Sequence, residues 1–212
     1  MTDVQAGEDL ALRCPGQAAR TRAEEARAEA PVRAVLARIM GVHTDERAWR
    51  LGADGEVSVG AQLDKLMKRD PRWRCLHSVP VGSNDADIDH LVIGPGGVFS
   101  LNAKNHPGAR IWVAGDSFMV NGVRVAYVRN SRHEALRASR LLTAACGFPV
   151  EATGVVVPVN AHEVTVKKSP PDVEVINRRR LRHWLRRRPE VLGVSAGDAI
   201  FEQARRSATW IG

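Results

Sequence analysis

The chain has 212 residues, 44% of them apolar and 26% charged, proportions of an ordinary folded protein that exclude wholesale disorder. No apolar run approaches the ~20 residues of a membrane helix, and the opening MTDVQAGEDLALRCPG lacks the basic-then-apolar order of a secretory signal. Lys and Arg outnumber Asp and Glu by 31 to 24, a formal charge of +7, and the run from Arg178 to Arg188 holds seven Arg and no acid, so the whole excess sits in one stretch suited to a polyanionic partner.

In chain order, the first 20 residues read as a loose arm, and Thr21 to Met40 as an Ala-, Arg- and Glu-rich helical segment broken at Pro31. A second helix is predicted from Thr44 to Arg69, capped by Thr44 or Asp45 and ended by Asp70-Pro71. At 100° per residue, Val59, Gly60, Leu63, Leu66 and Met67 share one face of it, and Glu56 falls in the middle of that face. Strand character follows over Trp73–Val81, Asp87–Ile93 and Val98–Ala103. Gly94-Pro95-Gly96-Gly97 between the last two predicts an antiparallel hairpin. Ile111–Val113 and Ser117–Val120 are further strands, with a tight turn at Asn121-Gly122.

A third helix is predicted over Ser131–Ala145. Ser131-x-x-Glu134 reads as a capping box at its start, with support of the site as Glu134's other role, and Gly147 and Pro149 close it. Thr153–Val159 is a nearly continuous apolar run, the mark of a strand covered on both faces. Val173–Ile176 is a short strand, Asn177 caps the Arg-rich helix, and a last helix spans Ser195–Ser207. The order predicts an α/β fold, a mixed sheet flanked by helices. It divides into an N-terminal arm and accessory helix (1–43), a core (44–160) and a C-terminal strand with helices (161–212).

Asp87 and Asp89, two apart on one strand, share a face, as do Asn102 and Lys104 on the next. Pairing through the hairpin brings Asp89 beside Asn102 and Lys104, within reach of Glu56. Carboxylates with a lysine suit metal-assisted phosphodiester hydrolysis, in which a hard cation takes oxygen ligands and the lysine orients water or steadies the transition state. His90 faces away from Asp89 and reads as structural; His106 lies in a loop near the site. Cys14, Cys75 and Cys146 share no close spacing, so neither a disulfide framework nor a zinc site is expected, and a reducing cytoplasm is the expected compartment. In the Arg-rich helix, Leu181, Trp184 and Leu185 form a docking stripe. Its Arg178, Arg179, Arg180, Arg182, Arg186, Arg187 and Arg188 either grip phosphates or form a solvated face.

The stretch from Gly52 to Trp112, GADGEVSVGAQLDKL…DADIDHLVIGPGGVFSLNAKNHPGARIW, resembles the NERD (nuclease-related domain) family, and the likeness continues through Val120-Asn121-Gly122 and the Glu134 helix to about Val159. The resemblance implies a PD-(D/E)xK, restriction-endonuclease-like fold and an active site at Glu56, Asp89 and Lys104. The family's acid two residues before the lysine is Asn102 here. The implied activity is that of a nuclease with Mg²⁺ or Mn²⁺ held by Asp89 and Glu56. On the residues' own reading Asp87, or the main-chain carbonyl of Ala103, partly compensates as a ligand for the uncharged Asn102. The expected partner is DNA, with RNA as the second candidate, and no membrane partner is expected. The alternative is a catalytically weakened relative that binds nucleic acid or a protein.

Overall fold

The computed structural model describes residues 7–17, 20–21, 45–81 and 87–211. The helix expected between Thr21 and Met40, beyond Thr21 itself, and the Thr44 cap lie outside the described residues. The elements are α1 (Asp45–Arg69), β1 (Arg74–Pro80), β2 (Asp87–Gly94), β3 (Gly97–Asn105), β4 (Arg110–Ala114), β5 (Ser117–Val120), β6 (Val123–Val125), α2 (Tyr127–Cys146), β7 (Ala152–Val159), β8 (Glu163–Lys168), β9 (Val173–Val175), α3 (Arg178–Arg186) and α4 (Val194–Ala204). Strands β1-β2-β3-β7-β9 form a mixed sheet. Its first two pairings are antiparallel and its last two parallel. This is the α/β mixed sheet flanked by helices that the element order predicts, and it is consistent with the nuclease-like fold that the resemblance implies. Among the described residues, no helix is long and apolar enough to cross a membrane.

Alternation along the central strands sorts the core. Phe99, Leu101 and Ala103 of β3 and Val155, Val157 and Val159 of β7 pack with Val59, Leu63 and Leu66 of α1 and Leu181 and Leu185 of α3. Across the sheet, Leu91 and Ile93 of β2 meet Ala138 and Leu142 of α2 and Ile200, Phe201 and Ala204 of α4. Each large apolar side chain so buried contributes roughly 1.5–3 kcal/mol. The C-terminal helices are thus part of the same core as the nuclease-like segment.

A second sheet, β6-β5-β4-β8, contains the two expected strands β4 and β5 and adds β6 and β8, which are not among the elements expected from the sequence. It packs Ile111, Val113 and Phe118 against Val128 of α2, Val156 of β7 and Val173 of β9. Its strands β4 and β5 carry a readable pattern. Strand β8 is mostly exposed and holds only two apolar residues, Val164 and Val166, too short a pattern to mark a strand.

Two further expectations are corrected. Residues 7–17 are not a loose arm: Leu10 is fully buried, its N–H donates to the Arg205 carbonyl at 2.8 Å, and Asp9 pairs with Arg205. Helix α2 starts at Tyr127, four residues before Ser131. Ala126 occupies its cap position without a side-chain hydrogen bond, so Ser131 and Glu134 lie inside the helix and form no capping box.

The two glycines of GEVSVG allow close approaches. A Cβ at Gly55 would stand 2.9 Å from the Asn105 Cβ, and one at Gly60 would stand 2.6 Å from Pro15 Cγ. Helix α1 therefore lies tight against the end of β3, and the N-terminal segment lies tight against α1. Asn105 fixes the first contact by donating from Nδ2 to the Leu51 carbonyl at 2.7 Å.

Candidate active site

The hairpin pairs β2 with β3 from Gly94–Gly97 as far as His90–Leu101. Beyond that point β2 stays with β1, through Ile88–Val79 and Asp87–Pro80, while β3 stays with β7 out to Asn105–Val159. The strands fork there, and the fork leaves the Ala103 N–H on the β2 side without a main-chain partner. Asp89 supplies one: its Oδ2 accepts that N–H at 2.6 Å. A buried amide needs a partner, and here the partner is a carboxylate at the centre of the expected site.

Glu56 reaches the same region from α1. It is 8% exposed, and its Oε2 accepts the Gly16 N–H at 3.1 Å. Burial, and then the charge of Asp89, push its carboxyl up to about 8, against the lowering effect of the Gly16 N–H; Asp87 raises it further and Lys104 opposes. Asp89 is partly exposed as a residue, yet desolvation pushes it up to about 6, with Lys104 and the Ala103 N–H pulling the other way and Asp87 adding to the rise. Glu56 thus feels the charges of Asp87, Asp89 and Lys104, and Asp89 those of Asp87 and Lys104.

Asn102 is 7% exposed. Its Nδ2 donates to both carboxylate oxygens of Glu134, at 3.0 Å each, and its Oδ1 is buried with no partner. Burial pushes Glu134 up to about 7; the Asn102 amide lowers it, and Asp89 raises it. Glu134 is therefore a fourth carboxyl in the cluster. The signal that locates it is the one that located Glu56: on α2 it shares a face with Ser131 and Ala138, which are 1% and 0% exposed.

Lys104 extends from the end of β3 with Nζ 5.1 Å from the centre of the Tyr127 ring, a cation–π contact. The Tyr127 hydroxyl lies 3.0 Å from His106 Nε2. His106, read as a loop residue near the site, is thereby tied to the ring that holds the lysine.

Under α1, His77 of β1 faces His90 of β2 directly across the ladder, with Nδ1 atoms 2.8 Å apart. Cys75 Sγ is 3.7 Å from His77 Nδ1, and the three ligand atoms lie within 4.8 Å of one another. Burial lowers both imidazoles and so favours neutral rings, one donating to the other. Cysteine spacing alone argues against any such set; it overlooks two histidines brought together only by strand pairing. These softer donors differ in kind from the carboxylate cluster.

Helix α3 is capped as expected, with Asn177 Oδ1 accepting the Arg179 N–H at 2.9 Å. Leu181 and Leu185 are fully buried, and Trp184 packs edge-on against Phe99 at 5.4 Å. Arg179, Arg180, Arg182, Arg186 and Arg187 are exposed, and Arg178 is half-buried. Arg188 folds back over Trp184 at 5.1 Å and reaches Glu174 at 3.7 Å, so it is engaged within the fold. A groove of about 700 Å³ runs between α3 and the strands β8 and β9, with Arg179, Arg180 and Arg187 on one side and Val164 and Val166 on the other.

Residues 51–159, just over half the chain, match the family model described as NERD: Nuclease-related domain. No curated protein and no solved structure gives a significant match.

Proposed function

The chain belongs to the nuclease-related domain family, and from that premise we propose that it hydrolyses phosphodiester bonds of DNA with the aid of Mg²⁺ or Mn²⁺, RNA being the second candidate substrate. The observation that carries this reading is the gathering of Glu56, Asp89 and Glu134 around one lysine, with all three carboxyls pushed upward. Clustered acids that resist ionisation are what an oxygen-donor cation site looks like without its cation. The residues fit such a group on a second count: Asn102 Oδ1 is a buried oxygen lacking any partner.

In this reading Glu56 and Asp89 hold the cation, and Asp87 adds charge at the edge of the site. When bound, the cation supplies Lewis acidity toward water and a counter-charge for the phosphate. Lys104, steadied over Tyr127, orients the attacking water and stabilises negative charge on the phosphoryl oxygens. Asp89 holds the Ala103 amide and so fixes the opening of the fork. The exposed arginines of α3 bind the nucleic-acid backbone. Plasmid and single-stranded DNA incubated with Mn²⁺ are expected to be cut by the wild type, and Lys104→Ala is expected to lose about 100-fold or more of that rate. Wild-type cleavage no greater than that of Lys104→Ala defeats the hydrolytic reading.

Asn102 favours a second reading, a relative that binds nucleic acid without cutting it. The two share the α3 surface. Replacing Arg179, Arg180 and Arg182 together by Ala should lower the slope of log affinity against log salt by about 3, close to one for each phosphate that is no longer neutralised. An unchanged slope returns this helix to an ordinary solvated face.

A further inference from the structure

We propose that Glu134 supplies from α2 the ligand carboxylate that position 102 does not provide, so that Asn102 and Glu134 together form one element of the divalent-cation site. The inference rests on the cation site described under the proposed function and adds to it a residue on a different helix.

The pairing is specific in chemistry. Asn102 presents its amide nitrogen to both oxygens of Glu134, at 3.0 Å each. A carboxylate at 102 would face Glu134 at a similar distance, and without a cation between them one of two carboxylates so close is held protonated. An acid at 102 and an acid at 134 are thus alternatives, and this chain has the second. Once Glu134 is ionised the pair carries one negative charge in all, as an acid at 102 beside a neutral residue at 134 would.

Its remaining acceptor points to a ligand. Asn102 is 7% exposed and its Oδ1 has no hydrogen-bond partner. Orphaned buried oxygens are uncommon, and a neutral amide oxygen is an ordinary ligand for a hard cation. The Glu134 carboxyl also feels Asp89 and Lys104, the groups that define the rest of the site. Its position is held by the buried face of α2 through Ser131 and Ala138, a rigid support on the side of the fork opposite α1 and Glu56.

The test is Mn²⁺ affinity of the full chain, read from the electron paramagnetic resonance signal of free Mn²⁺. Mn²⁺ is chosen because zinc would also be drawn to Cys75, His77 and His90. Glu134→Gln preserves the side-chain shape and is expected to weaken binding by about tenfold or more. The double variant Asn102→Glu/Glu134→Gln moves the charge back to β3 and is expected to recover affinity to within about threefold of the wild type, which a merely structural role for Glu134 does not predict. Wild-type affinity in Glu134→Gln, with loss in Asp89→Asn, overturns this inference alone; so does a double variant no better than Glu134→Gln. Absence of Mn²⁺ binding by the wild type overturns both this inference and the cation site on which it rests.

Discussion

Asp89→Asn is expected to abolish Mn²⁺ binding and to cut DNA cleavage by about 100-fold or more, while leaving the metal-free protein as stable as the wild type or more so at pH 8. The two effects have opposite signs because they concern different jobs of one side chain. As a hydrogen-bond acceptor Asp89 closes the fork by taking the Ala103 N–H, and an asparagine Oδ1 in the same place does this equally well. As a charge it is unwelcome in the metal-free fold: burial pushes its carboxyl up despite Lys104, and it in turn raises Glu56 and Glu134. Removing the charge relieves three groups at once. A gain on the order of 1 kcal/mol corresponds to about 2–4 °C in Tm for a chain of this size. Asp89→Ala separates the two jobs, because it leaves the Ala103 amide unpaired at a cost of about 1–3 kcal/mol. Thermal melts in a chelator decide the matter. If Asp89→Asn melts well below the wild type there, the aspartate is a structural residue.

The parts of this site that are legible in the sequence are those set by local periodicity. Glu56 declares itself by falling among Val59, Leu63 and Leu66 at helical spacing, and all three of those are buried. Asp89 and Lys104 are placed by the alternation of their strands and by a glycine-rich turn that fixes the pairing of β2 with β3. The buried run Val155–Val159 announces a strand covered on both faces, and its residues do divide between two packing clusters.

Contacts between segments far apart in the chain escape such a reading. Glu134 sits three residues after a serine, a spacing shared by capping boxes and by ordinary helix interiors, so the local pattern suggests the wrong partner. Its true partner, Asn102, is 32 residues away. His77 and His90 are both on predicted strands, but only the register of β1 against β2 sets them face to face. The N-terminal segment shows no amphipathic period over residues 7–17. It is anchored instead by one leucine, an ion pair and main-chain hydrogen bonds. Nearby, the Gly16 amide bonds the candidate catalytic Glu56. Substitution of Asn for an acid at 102 looks like the loss of a ligand when read along β3. Seen across the fold, it is one half of an exchange whose other half lies on α2.

The last expectation concerns the protein without a cation. Between pH 6.5 and 8 the metal-free chain should lose stability as pH rises, and saturating Mn²⁺ should cancel the loss. Glu56 and Glu134 are raised to about 8 and about 7 in the fold, whereas in the unfolded chain a glutamate titrates near 4.3. Across this window the native state therefore holds protons that the unfolded state has already released. Stability falls wherever the native state binds more protons. Asp89, raised to about 6, adds to the fall at the lower end of the window, and the remaining perturbed groups act there weakly or outside it. Buried His77 and His90 and half-buried His106 are lowered. An unfolded histidine is still half protonated near pH 6.5, so these three add a small opposing rise over about the first pH unit of the window and nothing above it. Cys75 is raised, but its effect begins only where an unfolded thiol ionises, near 8.5. The carboxylates lowered by arginine partners, Glu8, Asp9, Asp70 and Asp172, lose their contribution only in acid, below about pH 4. The retained carboxyl protons are worth about 2 kcal/mol across these roughly 1.5 pH units and the histidines return about half of that, leaving a net loss of about 1 kcal/mol, or about 2–4 °C in Tm. Glu56→Gln removes most of the slope, because the group that holds its proton longest is gone. Melting temperatures measured in chelator at about pH 6.5, 7.2 and 8 test this directly. A flat series means that the acids at the fork are ionised and already balanced without a cation, and the site then has no need of one.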